Sequence, residues 1–143
     1  MPEEYLNGPM TITSIGFARS PMGASSVVLE NFRMSLGTAA GPELENGFAE
    51  NLASGSTMTQ VFAGASVTAS DNGRGVVVFS LDSPWDYQGG DLLIDFSFSH
   101  ISGSMYVWSW DSGDNLFLSA TGAAAETGYA YSFPPMMVIK GEM

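Results

Sequence analysis

Asp82-Ser83-Pro84-Trp85-Asp86-Tyr87-Gln88-Gly89-Gly90-Asp91-Leu92-Leu93-Ile94-Asp95-Phe96 is the stretch on which the fold is decided. Just ahead of it, Val76 to Leu81 is a continuous apolar run, the pattern of a short central strand or of one buried on both sides. Read for turn signals, the chain leaves that strand at Leu81, turns through Pro84 and the Gly89-Gly90 pair, and enters an apolar strand at Leu92. Strand, aromatic-bearing turn, strand is the pattern of an all-β sandwich.

The same pattern extends in both directions. Met10 to Ala18 alternates at period 2, with Ile12, Ile15 and Phe17 as its anchors. Ser20 to Ser26 reads as a loop. Leu29 to Thr38 places Phe32, Met34 and Leu36 on one face and Asn31, Arg33 and Ser35 on the other. Gly41-Pro42 opens the one expected helical turn, Glu43 to Leu52. Met58 to Thr68 alternates again, and Asp71-Asn72-Gly73-Arg74-Gly75 is a turn in which Asn-Gly supplies positive φ. Beyond the deciding stretch, strands are expected over Leu92 to Ile101, Met105 to Trp110, Leu116 to Ala120 and Met136 to Lys140. Gly122 to Gly128 is small and loose, and Pro134-Pro135 stands where a strand begins, a tolerated place for proline. Eight strands without a linker, repeat or heptad predict one domain over residues 1–143, a jelly-roll-like antiparallel β-sandwich.

Composition suits that architecture. The chain has 143 residues, enough for one domain that buries ~68–70% of its unfolded surface. Hydrophobic residues make up 45%, including 9 Phe, 5 Tyr and 3 Trp, so a core is assured. Only 13% are charged, about half the usual share. Solvent-facing positions are therefore largely Ser, Thr, Gly and Asn, as in extracellular β-proteins. Fifteen acidic residues against four basic ones give a net charge of -11. Arg19, Arg33, Arg74 and Lys140 are scattered, so no basic stripe exists to hold nucleic acid or an anionic membrane. There is no cysteine, which removes disulfides, thiolate metal sites and cysteine nucleophiles. No apolar run approaches membrane-spanning length, so no membrane insertion is expected. Met1-Pro2-Glu3-Glu4-Tyr5 has neither a basic nor an apolar leader region, so a mature form or an excised domain carrying a start Met is expected.

Four phrases, in order, carry a family resemblance. They are Gly8-Pro9-Met10-Thr11-Ile12-Thr13-Ser14-Ile15-Gly16-Phe17-Ala18-Arg19; Phe32-Arg33-Met34-Ser35-Leu36-Gly37-Thr38; Phe48-Ala49-Glu50-Asn51 with Thr59-Gln60-Val61-Phe62-Ala63-Gly64; and Phe79-Ser80-Leu81-Asp82-Ser83-Pro84-Trp85-Asp86-Tyr87 with Leu92-Leu93-Ile94-Asp95. Residues 8–96 thereby resemble an uncharacterised β-sandwich module of secreted and exosortase-sorted (PEP-CTERM-type) bacterial surface proteins. Trp85 stands where that module usually has Phe, Asp91 where it has Asn, and no sorting tail follows. The resemblance implies an extracellular or cell-surface location and a sandwich architecture; it implies no reaction.

Four constellations bear on function. His100 is the only histidine, and no Gly-x-Ser-x-Gly elbow accompanies it, so His-dependent catalysis and a zinc site are not expected. Asp82, Asp86, Asp91 and Asp95 cluster in sequence, and a glycosidase needs two carboxyls ~5–9 Å apart. Asp95 is their best member, because Leu92, Ile94 and Phe96 take the opposite face of its strand. Asp111, Asp114 and Asn115 supply three oxygen-bearing side chains within five residues, a candidate calcium loop, with Asp71-Asn72 and Asp82/Asp86 as further candidates, although an ordinary hairpin turn is the commoner use of such residues. Tyr106, Trp108 and Trp110 share one strand parity. They form either a sugar-stacking platform or a core face, and core is the commoner use of such a row. The expected function is a non-catalytic extracellular structural or adhesive module that forms homo-oligomers or polymers through strand edges. A carbohydrate-binding module using Tyr106, Trp108 and Trp110 is the second reading, and a carboxylate glycosidase the third.

Overall fold

In the computed structural model the chain is described throughout except at Asn7, Asn115, residues 120–128, Phe133 and Met143. Ten strands form among the described residues: β1 Met10–Gly23, β2 Ser26–Thr38, β3 Thr59–Ser70, β4 Val76–Tyr87, β5 Leu92–Ser97, β6 His100–Ile101, β7 Met105–Val107, β8 Phe117–Ser119, β9 Tyr129–Tyr131 and β10 Met137–Glu142. There is no α-helix among the described residues, only 3₁₀ turns at Glu3–Tyr5 and Ala49–Asn51.

Two antiparallel sheets pack against each other. In the first, β1 lies between β10 and β4, and its far end pairs with β7. In the second, β2 lies between β3 and β5, with β6 continuing alongside β2. The chain changes sheets between β1 and β2, at the 71–75 turn, at residues 88–91 and again before β7, in the crossing manner of a jelly roll. A separate two-stranded ribbon pairs β8 with β9.

Alternation decides which side chains meet. On β1, Ile12, Ile15 and Phe17 point inward; on β2, Val27, Leu29, Phe32, Met34 and Leu36 do so. Phe32 of one sheet stacks on Phe79 of the other, with ring centroids 4.9 Å apart and planes 12° from parallel. Phe17 and Phe62 meet Phe79 edge-on at 6.1 Å and 5.6 Å. Tyr87 is fully buried, and its hydroxyl donates to the Gly90 carbonyl at 2.5 Å, which gives the phenol a partner inside the core.

Several sequence expectations are corrected. The strand expected to stop at Leu81 continues to Tyr87, and the turn lies at residues 88–91. Between Ser80 and Trp85 the chain bulges out of register with β1, so Pro84 sits in a strand without breaking a ladder bond. The loop expected at Ser20 to Ser26 is mostly strand, leaving Ala24 and Ser25 as the connection. The expected helical turn over Glu43 to Leu52 contracts to Ala49–Asn51. Asn51 is buried there: its Oδ1 accepts from Glu45 N and its Nδ2 donates to the Glu45 and Gly47 carbonyls, holding the segment by side-chain bonds. The expected strand Met105 to Trp110 ends at Val107, and the loose segment 122–128 lies outside the described residues.

Because Phe79 joins three rings from three other strands, Phe79→Ala is expected to cost about 3–5 kcal/mol of unfolding free energy. Urea denaturation followed by fluorescence measures it. A loss below about 1 kcal/mol would show that the aromatic cluster does not hold the sheets together.

Candidate functional site

The four clustered aspartates each have their own surroundings. The Asp82 carboxylate accepts from Ala63 N at 3.2 Å, Asp86 accepts from Thr11 Oγ1 at 2.9 Å, and Asp91 accepts from Glu3 N at 3.0 Å. Asp95 stands opposite Ser35 on the outer face of the second sheet. The three bonded carboxylates thus have partners on β3, β1 and the N-terminal turn. Burial raises the Asp95 carboxyl above the ordinary carboxylate range. His100 is exposed and lies opposite Glu30 on β2.

The Asp111–Asp114 segment is a tight turn. Asp111 Oδ1 accepts from Gly113 N at 3.0 Å, and Gly113 has a positive φ of 75°. Ser112 Oγ lies 2.6 Å from the Asp114 carbonyl and 3.0 Å from that of Ser132, and Asp114 N donates to it. Asn115, the third expected calcium ligand, lies outside the described residues. Among the described residues no three His, Asp or Glu side chains gather as a metal site.

A polar node in which Arg19 joins the expected Asp71–Gly75 turn closes the β3–β4 connection. Arg19 Nε donates to Asp71 Oδ2 at 2.7 Å, both side chains being largely buried. Asp71 Oδ1 accepts from Gly73 N and Gly75 N at 2.7 Å and 3.0 Å. The hydrogen bond from Arg19, outweighing the burial cost, and those backbone donors hold the Asp71 carboxyl below its ordinary 3.8. These groups line an open hollow of about 610 Å³ with Pro21 and Ser25.

The aromatic row is exposed, against the commoner core reading. Tyr106 and Trp108 are each 51% exposed and Trp110 36%. Each ring has its own surroundings. Tyr106 lies over Gly23, where an added Cβ would come within 2.7 Å of its ring. Trp110 meets Tyr5 edge-on at 5.5 Å. Trp108 lies between: its backbone N donates to the Ala18 carbonyl, and its own carbonyl accepts from Met136 N.

Those bonds place Trp108 at the end of a larger surface, the outer face of the first sheet. Register sets Val76 beside Ala18, Val78 and Val138 on either side of Gly16, and Ser80 and Lys140 on either side of Ser14. Val77, Phe79, Met137 and Ile139 take the inward parity, so Val76, Val78 and Val138 point outward. Val78, Val138 and Met136 are about two-fifths exposed or more. A groove of about 170 Å³ runs between the valines, with Arg74 and Lys140 at its borders. Gly16 forms its floor, since a Cβ there would stand 2.9 Å from Val76 Cγ1. The signal for this face was present in the uninterrupted run Val76 to Phe79, which suits a strand covered on both sides.

No helix among the described residues is long and apolar enough to cross a membrane. Compared with protein families, curated proteins and solved structures, the chain matches none.

Two substitutions test the electrostatics with opposite signs. Asp71 titrates below its unfolded value, so its contribution is full above pH 3.8 and is lost as pH falls through the lower folded value. Asp71→Asn is therefore expected to lower Tm at pH 7, by a margin that shrinks in acid. Asp95 titrates above its unfolded value, so its ionisation opposes folding at neutral pH. Asp95→Asn is expected to raise Tm at pH 7 and to match the parent protein below pH 3.8. Thermal melts across that range check both, and a fall in Tm for Asp95→Asn at pH 7 would contradict the second.

Proposed function

We propose that this chain is a non-catalytic extracellular β-sandwich module that works by adhesive contact, with the outer face of the β1 sheet as its contact surface. The observation that carries this reading is the exposed strip of Val78, Val138, Met136 and Trp108. Soluble domains rarely leave such a strip open without a partner. The low charge fraction and the resemblance of residues 8–96 to a bacterial surface module support the extracellular assignment.

A second reading has its own observation. Trp108 and Tyr106 expose half their surface at one end of that face, and aromatic rings of this kind stack on sugars. Carbohydrate is then the ligand and the valines are its apolar border.

Retention of the purified protein on alkyl-coated beads, on hydrophilic beads and on a panel of insoluble polysaccharides separates the two. Adhesive contact predicts stronger retention on alkyl beads than on hydrophilic ones, falling several-fold in Val138→Asp. Equal retention of Val138→Asp and the parent protein on alkyl beads would overturn it. Binding to one polysaccharide that is lost in Trp108→Ala and kept in Val138→Asp would establish the second reading instead.

A further inference from the structure

The outer face of the β1 sheet has a charge order along its strands. At one end the outward residues are Asp86, Thr11 and Glu142, in register across β4, β1 and β10. Next come Ser80, Ser14 and Lys140, then Val78, Gly16 and Val138, then Val76 and Ala18 with Met136. Beyond Val76, in line with β4, the turn carries Arg74 at the groove's border. The face is thus acidic at one end, cationic at the opposite corner, and apolar between.

We propose that this face docks against the same face of a second copy, with the two-fold axis lying across the strands at the Gly16 row. Such an axis is isologous: every contact occurs twice. It stacks Val78 and Val138 on their counterparts over two glycine floors. Counting outward along β4 from Val78, Ser80 meets Val76 of the second copy and Asp86 meets its Arg74. Along β10, Lys140 meets Met136 and the face of Trp108, a cation–π geometry. The opposite axis, along the strands, would set Asp86 against Glu142 of the second copy and is disfavoured by like charge.

Two further observations favour a second copy as the occupant. Val76-Val77-Val78-Phe79 and Met136-Met137-Val138-Ile139 are both uninterrupted apolar runs, yet each has only its inward half covered in the single chain. A partner over the outer face makes both runs the two-sided strands their composition describes. The cations also matter in a chain of net charge -11: Arg74 and Lys140, two of its four basic residues, border this one groove. A second copy brings Asp86 to Arg74, and the ring of Trp108 to Lys140.

Three strands at about 4.8 Å spacing and rows spread over about 25 Å give a flat footprint of about 360 Å² per copy, below the standard size of stable interfaces and in the range of weak, transient contacts. Association is therefore expected at micromolar to millimolar concentration, and this inference rests on the contact surface proposed above. The test is sedimentation velocity at about 0.15 M salt from about 10 μM to about 1 mM. The parent protein is expected to form dimers and Val138→Asp to weaken them by about tenfold or more. Arg74→Glu and Asp86→Arg are each expected to stay monomeric alone, because each sets like charges together, and to form a mixed dimer when combined. Circular dichroism and the monomer's sedimentation coefficient check that each variant is folded. A monomer throughout the range, dimers unaffected by Val138→Asp, or no mixed dimer would each overturn the proposal. Retention of a strictly monomeric protein on alkyl beads would overturn the second copy while leaving the adhesive face standing.

Discussion

Stacking of Phe32 on Phe79 across the two sheets is the contact from which the rest of the geometry follows. The two rings come from the central strand of one sheet and an edge strand of the other, and Phe17 and Phe62 close around them from β1 and β3. With Phe79 fixed inward opposite Ile15, the period-2 pleat leaves no freedom in the neighbours: Val78 and Ser80 must face out. A slip of one residue would turn Phe79 to solvent and Val78 to the core, exchanging the three ring contacts of Phe79 for those of a smaller side chain. The same logic through Phe17 and Met137 sends Gly16 and Val138 outward. The core cluster therefore specifies the outer face as surely as the inner one.

That outer face is unusual for what it lacks. A solvated sheet normally alternates apolar with polar residues, and the second sheet does so, with Arg33 and Ser35 outward beside Phe32, Met34 and Leu36. The first sheet has valines and small residues on both parities. Gly16 deepens it into a groove, and its hydrogen atom is what allows the flanking Val76 and Val78 side chains to lean together. Replacing it with any larger residue would fill the groove and press on the Val77 carbonyl, 3.2 Å from the position of a Cβ. The glycine is thus explained by the surface as well as by the strand.

Most of the fold was legible in the sequence because it is written in period-2 alternation. The inward parity of Phe32, Met34 and Leu36 and the outward placement of Asp95 follow from spacing alone. Boundaries were less legible where a residue carries two meanings. Ser20-Pro21-Met22-Gly23 reads as a loop by composition, yet pairing with β7 keeps it in β1. Pro84 reads as a turn, yet a bulge against β1 accommodates it. The exposure of Trp108 was not legible at all, since parity groups it with Tyr106 and Trp110 but cannot say which side of the sheet is covered. Likewise the Arg19–Asp71 pair joins residues 52 apart in sequence, a distance over which no local pattern reports.

Charge distribution ties these features together. A net charge of -11 spread evenly over the surface would oppose any contact between copies. Here Arg19 is consumed by Asp71, where it stabilises a turn, and is not available to a partner. Arg33 lies on the outer face of the second sheet. That leaves Arg74 and Lys140, and the fold brings both to the border of one apolar groove although they are far apart in sequence. A surface poor in cations that sets half of them around this apolar strip has reduced the local repulsion there. Because screening shortens the reach of the remaining acids to about 8–10 Å at ordinary ionic strength, the local arrangement outweighs the net charge at close approach.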